Sequence, residues 1–213
     1  MLKQKRESSF IGIFRMEKAK IFFLGLLLGS SISLWSKQTN SFMVIHDGED
    51  IGKLIVTEEK KQEGYAYTYV MDITTRFLFK EIRVEYNMDA LFKKGVLDNY
   101  HLIYKLNNRL MDDVSLNWTG SKYIIKTAKE EKEHLSKIYH SMILMFCRKP
   151  DNKTKVWGEL ICDYSKLVKE EENVFKVKFS DGKENKYIYE NDQLVKASIQ
   201  TKFIDFDMIR VKE

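Results

Sequence analysis

The feature that most constrains this chain is its alternation at period two. Ile82, Val84, Tyr86, Met88, Ala90 and Phe92 are set against Arg83, Glu85, Asn87 and Asp89. Tyr65, Tyr67, Tyr69 and Met71 repeat the pattern, as do Tyr100, Leu102, Tyr104 and Leu106, and later Val195, Ala197, Ile199, Thr201 and Phe203. Successive side chains of a strand point to opposite faces, so each run describes a strand with one dry and one wet face. Turn pairs fall between the runs: Asp47-Gly48, Lys94-Gly95, Asn107-Asn108, Thr119-Gly120, Asp181-Gly182 and Asn191-Asp192. Such pairs tolerate the positive φ that short hairpins demand. The spacing predicts a mainly β fold, an antiparallel meander forming a curled sheet or β-barrel-like domain, because so many strands must hide their edges.

One segment breaks the alternation. Leu135, Ile138, Tyr139, Met142, Ile143 and Phe146 follow the spacing of one helical face, with Pro150 just beyond. This predicts a short amphipathic helix over residues 135–147, packed on the sheet or plugging a barrel mouth. A membrane-surface helix is the sharper alternative, but the wet side has no run of lysines.

The amino terminus has a different logic. Lys18 and Lys20 precede an apolar run from Ile21 to Leu28, followed by Gly29 and several serines. That order is a secretory signal peptide over residues 16–36, with cleavage expected after Ser36; an uncleaved anchor is the alternative. Met16 stands where such a peptide normally begins, so residues 1–15 are a candidate upstream extension. The expectation is an exported protein, periplasmic or extracellular, with residues 37–213 as a single antiparallel β domain and no transmembrane span after cleavage. No cysteine near the cleavage region supports a lipoprotein anchor.

Charge supports this division. The formal net charge is +5, but six of 36 basic and two of 31 acidic residues lie in residues 1–36. The remainder is nearly balanced and supplies no nucleic-acid footprint.

Candidate chemistry is sparse. Cys147 and Cys162 are the only cysteines, and in an oxidising compartment they are a candidate disulfide closing a short loop around Pro150; two buried free thiols are the alternative. His46, His101, His134 and His140 form no metal-ligand spacing and are expected to be solvated or at a rim. Neither Glu58-Glu59 nor Asp112-Asp113 can form a carboxylate pair on one strand face. Nucleophile elbows, phosphate loops and dinucleotide fingerprints are missing, so the sequence names no catalytic residue, metal or cofactor. The triplets starting at Asn117 and Asn152 match a glycosylation pattern that arises often by chance.

The most suggestive feature is aromatic: eleven Tyr, thirteen Phe and three Trp. On alternating strands they line either an ordinary sheet core or an apolar cavity.

The order of several elements resembles an uncharacterised family of exported β-rich proteins associated with Bacteroidota. The pieces are Phe42-x-Val44 with Gly52-x-Leu54, Phe92 with Gly95-x-Leu97, Trp118-x-Gly120-x-x-Tyr123, the Ser141 to Pro150 segment, and Asp181-Gly182-x-x-Asn185-x-Tyr187-x-Tyr189-x-Asn191. Lys149 departs from an acidic residue expected before the proline. The resemblance implies location and fold and carries no catalytic residues; the chain is also distantly similar to periplasmic curved-sheet proteins that carry or sense lipids.

The expected function is a non-catalytic cell-envelope protein that binds an apolar, lipid-like ligand or an envelope partner. A structural module using its sheet surface, where Lys176 and Lys178 flank Val177, is the alternative. An envelope hydrolase is the minor one, and would require His101, Asp112 or Glu159 to share a cleft.

Overall fold

The computed structural model describes residues 36–77, 79–201 and 204–212. The expected signal peptide and upstream extension therefore lie outside the described residues, apart from Ser36. Fourteen strands follow in chain order: β1 (Lys37–His46), β2 (Glu49–Lys61), β3 (Gly64–Phe77), β4 (Lys80–Lys93), β5 (Val96–Leu106), β6 (Arg109–Trp118), β7 (Tyr123–Lys126), β8 (Glu131–His134), β9 (Lys155–Gly158), β10 (Asp163–Glu171), β11 (Val174–Lys178), β12 (Glu184–Glu190), β13 (Gln193–Ile199) and β14 (Phe206–Arg210). All belong to one antiparallel sheet of order β8-β7-β6-β5-β4-β3-β2-β1-β14-β13-β12-β11-β10-β9. The sheet is thus two meanders, β1–β8 and β9–β14, zipped where β1 pairs β14 from Phe42↔Arg210 to Ile45↔Asp207.

The expected turn chemistry is present. Asp47-Gly48, Lys94-Gly95, Asn107-Asn108 and Asn191-Asp192 each place both residues at positive φ, the backbone of two-residue hairpins whose twist matches the strands. Gly52 answers a different constraint, since at φ +143° a Cβ there would stand 2.2 Å from the Asp72 carbonyl oxygen. Pairing of β2 with β3 runs from Lys61↔Gly64 to Gly52↔Ile73 and ends there.

The sheet curls without closing into a hydrogen-bonded barrel. Its edge strands β8 and β9 meet through side chains, with the His134 ring 4.9 Å from Trp157 and 5.9 Å from Tyr164. The connection between the edges, residues 135–154, crosses the interior and carries α1 (Met142–Met145).

This crossing segment corrects the predicted helix. Helix covers four residues rather than 135–147, and Leu135 and Tyr139 of the supposed apolar face are exposed. The reason is competition for backbone groups. The Ile138 carbonyl accepts from Leu97 N–H at 2.8 Å, its N–H donates to Tyr123 Oη at 3.1 Å, and the His140 carbonyl accepts from Trp157 N–H at 3.0 Å. Those bonds hold the chain extended up to Ser141, which forms a parallel bridge with Trp157. A second correction concerns β13: a register shift between Ile188 and Tyr189 puts Leu194, not Val195, in the core, and the strand ends at Ile199. Phe203 lies outside the described residues.

Inner-face residues hold the crossing segment and the short stretch after β9 in place. Tyr100 Oη donates to the Glu159 carbonyl at 2.8 Å, Tyr189 Oη to the Met145 carbonyl at 2.8 Å, and Asn40 Nδ2 to the Phe146 carbonyl at 3.0 Å. Each satisfies a backbone acceptor that the sheet cannot reach, which a buried carbonyl requires.

A hollow half inside the curled sheet

Burial changes along the inner face. On β4, Met88, Ala90 and Phe92 are buried, while Ile82, Val84 and Tyr86, on the same face, are only half-buried. Strand β5 repeats this: Tyr100 and Leu102 are buried, Tyr104 and Leu106 half-buried. Strict alternation with incomplete burial means that those side chains face a space rather than a partner. That space is an apolar cavity of about 360 Å³.

Its walls come from opposite sides of the sheet. Met71 and Ile73 of β3, with Val84 and Tyr86 of β4, face Tyr187 of β12 and Ile199 of β13. Met142, Ile143 and Phe146 of the crossing segment line it as well. Phe146 anchors that segment: its ring stands edge-on to Phe42, Tyr69 and Tyr187 at centroid distances of 5.7, 5.4 and 6.1 Å. Such T-shaped contacts align the positive ring edge with the negative face.

One acid is among the lining residues. Glu159 is buried, and its Oε1 accepts from Ile143 N–H at 3.1 Å. Burial raises its pKa above the usual carboxylate range, opposed by neighbouring hydrogen-bond donors. Ser141 Oγ lies beside this carboxyl yet lacks a hydrogen bond of good geometry, as do the buried Nε2 of His140 and Nε1 of Trp157.

His140 departs from the expected solvated histidine. It is buried, and desolvation, reinforced by Lys153 and Arg148, lowers its pKa to about 4. It must stay neutral in the fold. As pH falls from about 6.5 to 4 the unfolded imidazole gains a proton that the folded one refuses, so roughly 3 kcal/mol of stability should be lost. Glu159 has the opposite sign: its raised pKa gives stability that is present below the usual carboxylate range and lost as pH rises through the folded value. Denaturant titrations across pH should therefore show a flattened acid limb in His140→Gln. Glu159→Gln, which keeps an acceptor for Ile143, should gain stability relative to wild type as pH rises.

The remaining candidates are dispersed. Cys147 and Cys162 form no bridge in the structure; both are free thiols in different surroundings. Cys162 Sγ sits 3.4 Å from Tyr100 Oη, whereas burial and the nearby Glu58 push the Cys147 thiol up to about 12. Neither is poised as a thiolate. His101 Nε2 meets Asp113 Oδ1 at 2.8 Å on an exposed face, whereas Glu159 is buried inside and Asp112 borders Cys162 in a separate, polar depression. Among the described residues no group of acids, cysteines and histidines could hold a metal ion. No helix among them is long and apolar enough to cross a membrane. The basic face of β11 is balanced, since Lys176 pairs with Glu170 and Glu184, and Lys178 with Glu184.

Residues 42–211 match the model of a domain of unknown function, DUF6134. The chain belongs to that family. No curated protein and no solved structure matches it significantly. The matched DUF6134 span runs from Phe42 in the middle of β1 past the end of β14, and thus includes the crossing segment and every wall of the cavity.

Proposed function

We propose that this DUF6134 protein is an exported, non-catalytic binding protein of the cell envelope that holds an apolar, lipid-like molecule inside its curled sheet. The observation that carries this reading is the hollow half of the inner face: a cavity of about 360 Å³ whose walls are almost wholly aliphatic, aromatic and methionine side chains. Small-molecule sites typically occupy about 300–1,000 Å³ and are lined this way, with few polar groups. Water gains little in such a space, because a bound water needs two to four polar partners. The signal-like amino terminus supplies the compartment in which a lipid-like ligand is available.

The alternative of a sheet-surface module is less supported, since the basic strand face proposed for it is neutralised by its own glutamates. The experiment for the cavity reading is a titration with a fluorescent fatty-acid analogue. Saturable binding of one probe per chain, competed by unlabelled long-chain lipid, is expected. Linear, non-competable partitioning would contradict it.

A further inference from the structure

The hairpin of β3 and β4 outruns its neighbours. Pairing of β3 with β2 ends at Ile73, and pairing of β4 with β5 begins at Val84. Arg83, paired with Thr74, still bonds Asn107 of the β5–β6 turn through both its backbone groups at 2.8 Å, and beyond it the two strands continue alone through Thr75↔Ile82, Arg76↔Glu81 and Phe77↔Lys80. Thr75 and Ile82 line the cavity, so this two-stranded arm is one lip of its mouth.

The arm ends on an aromatic that the fold does not use. Phe79 is fully exposed, at 102% of its reference area, and it adopts φ +69°. That left-handed backbone is favourable for glycine and costly for phenylalanine, and no buried contact offsets the cost. On the neighbouring β5–β6 hairpin, Leu110 and Met111 are also exposed. Arg76 and Lys80 flank the tip and Arg109 precedes Leu110; among the described residues none of the three is in an ion pair. The carboxylate on the arm is Glu81; Asp112 and Asp113 of β6 stand further from the β5–β6 turn than Arg109, Asp72 and Glu85 pair with Arg83, and Asp47, Glu49 and Asp50 belong to the β1–β2 hairpin.

We infer that this arm docks on the surface of an anionic lipid bilayer, with Phe79 inserted among the headgroups and the basic residues against lipid phosphates. An exposed aromatic bracketed by unpaired cations is the chemistry that such a surface recognises. The position at the cavity mouth places the opening against the membrane, and in this respect the inference extends the proposed function. Vesicle binding itself does not depend on the cavity.

The protein as its host produces it should sediment with vesicles of equimolar phosphatidylcholine and phosphatidylglycerol, and much less with phosphatidylcholine alone. Phe79→Gly removes the side chain and relieves the backbone, so it should fold at least as stably while vesicle affinity drops roughly tenfold. Lys80→Glu combined with Arg109→Glu should lower it by roughly tenfold or more and abolish its salt dependence. Equal sedimentation of wild type and Phe79→Gly, or no preference for phosphatidylglycerol, would overturn the inference. So would crosslinking of position 79 to a protein instead of to lipid. Probe uptake in lipid-free buffer should be the same in Phe79→Gly and wild type; its failure in both would count against the cavity reading and leave the vesicle result standing.

Discussion

Replacing Val84 with tryptophan is expected to abolish uptake of an apolar probe while leaving the protein folded. Val84 is half-buried on the inner face of β4, directed at the cavity and flanked along the strand by Ile82 and Tyr86. A larger ring there extends into empty space rather than into packed atoms, so the overpacking penalty of a filled core does not apply. Filling an apolar hollow also buries more surface, which should keep the unfolding midpoint at or above that of wild type. Affinity for the fluorescent fatty-acid analogue should fall by roughly a hundredfold, the scale of about 3 kcal/mol of lost apolar burial. Asn87→Trp, on the exposed face of the same strand, is the control and should bind normally. Unchanged uptake in Val84→Trp would mean that the probe binds elsewhere.

Phe146→Ala should be the most destabilising single substitution in the crossing segment. The ring is 5% exposed and touches aromatic residues of β1, β3 and β12, so it joins both meanders through the interior. Truncating a buried phenylalanine costs about 3–5 kcal/mol when neighbours cannot collapse into the void. Collapse is poor here because one side of the ring already borders the cavity. Urea unfolding should show a lower midpoint with an unchanged slope, the sign of lost stability without a change in compactness. A loss below about 1 kcal/mol would mean that the segment is held by its bonds to Tyr123, Tyr189 and Asn40 alone.

How much of this fold is legible in the amino-acid sequence follows from which forces leave a local signature. Alternation and turn pairs do: all six turn pairs lie between strands, four with both residues at positive φ. The β3–β4 turn carries no such signal, because Phe79 stands where a glycine or asparagine would be expected. The interior crossing is hidden for a different reason. Ile138, Met142 and Ile143 are spaced as on a helix, but Leu97, Tyr123 and Trp157 claim the backbone groups that a helix would have used. Those partners are distant in sequence, and no local pattern announces them.

The cavity is half legible. Strand alternation identifies its wall residues, such as Val84, Tyr86 and Tyr104, but it identifies the packed Met88 and Leu102 in the same way. Whether two inner faces touch depends on how far the sheet curls, and a period-two pattern is silent about curvature. Glu159 and His140 are visible as residue types and not as buried groups. Their burial comes from the crossing segment and the short stretch after β9, which tertiary contacts alone define.

Whether the hollow half of the sheet holds a lipid-like molecule is tested most directly by native mass spectrometry of the protein purified from its own host without detergent. A population heavier than the polypeptide by one lipid-sized mass is expected, released on activation and missing from Val84→Trp. A bare polypeptide mass for wild type, under conditions that preserve other non-covalent lipid complexes, would contradict the binding of such a molecule.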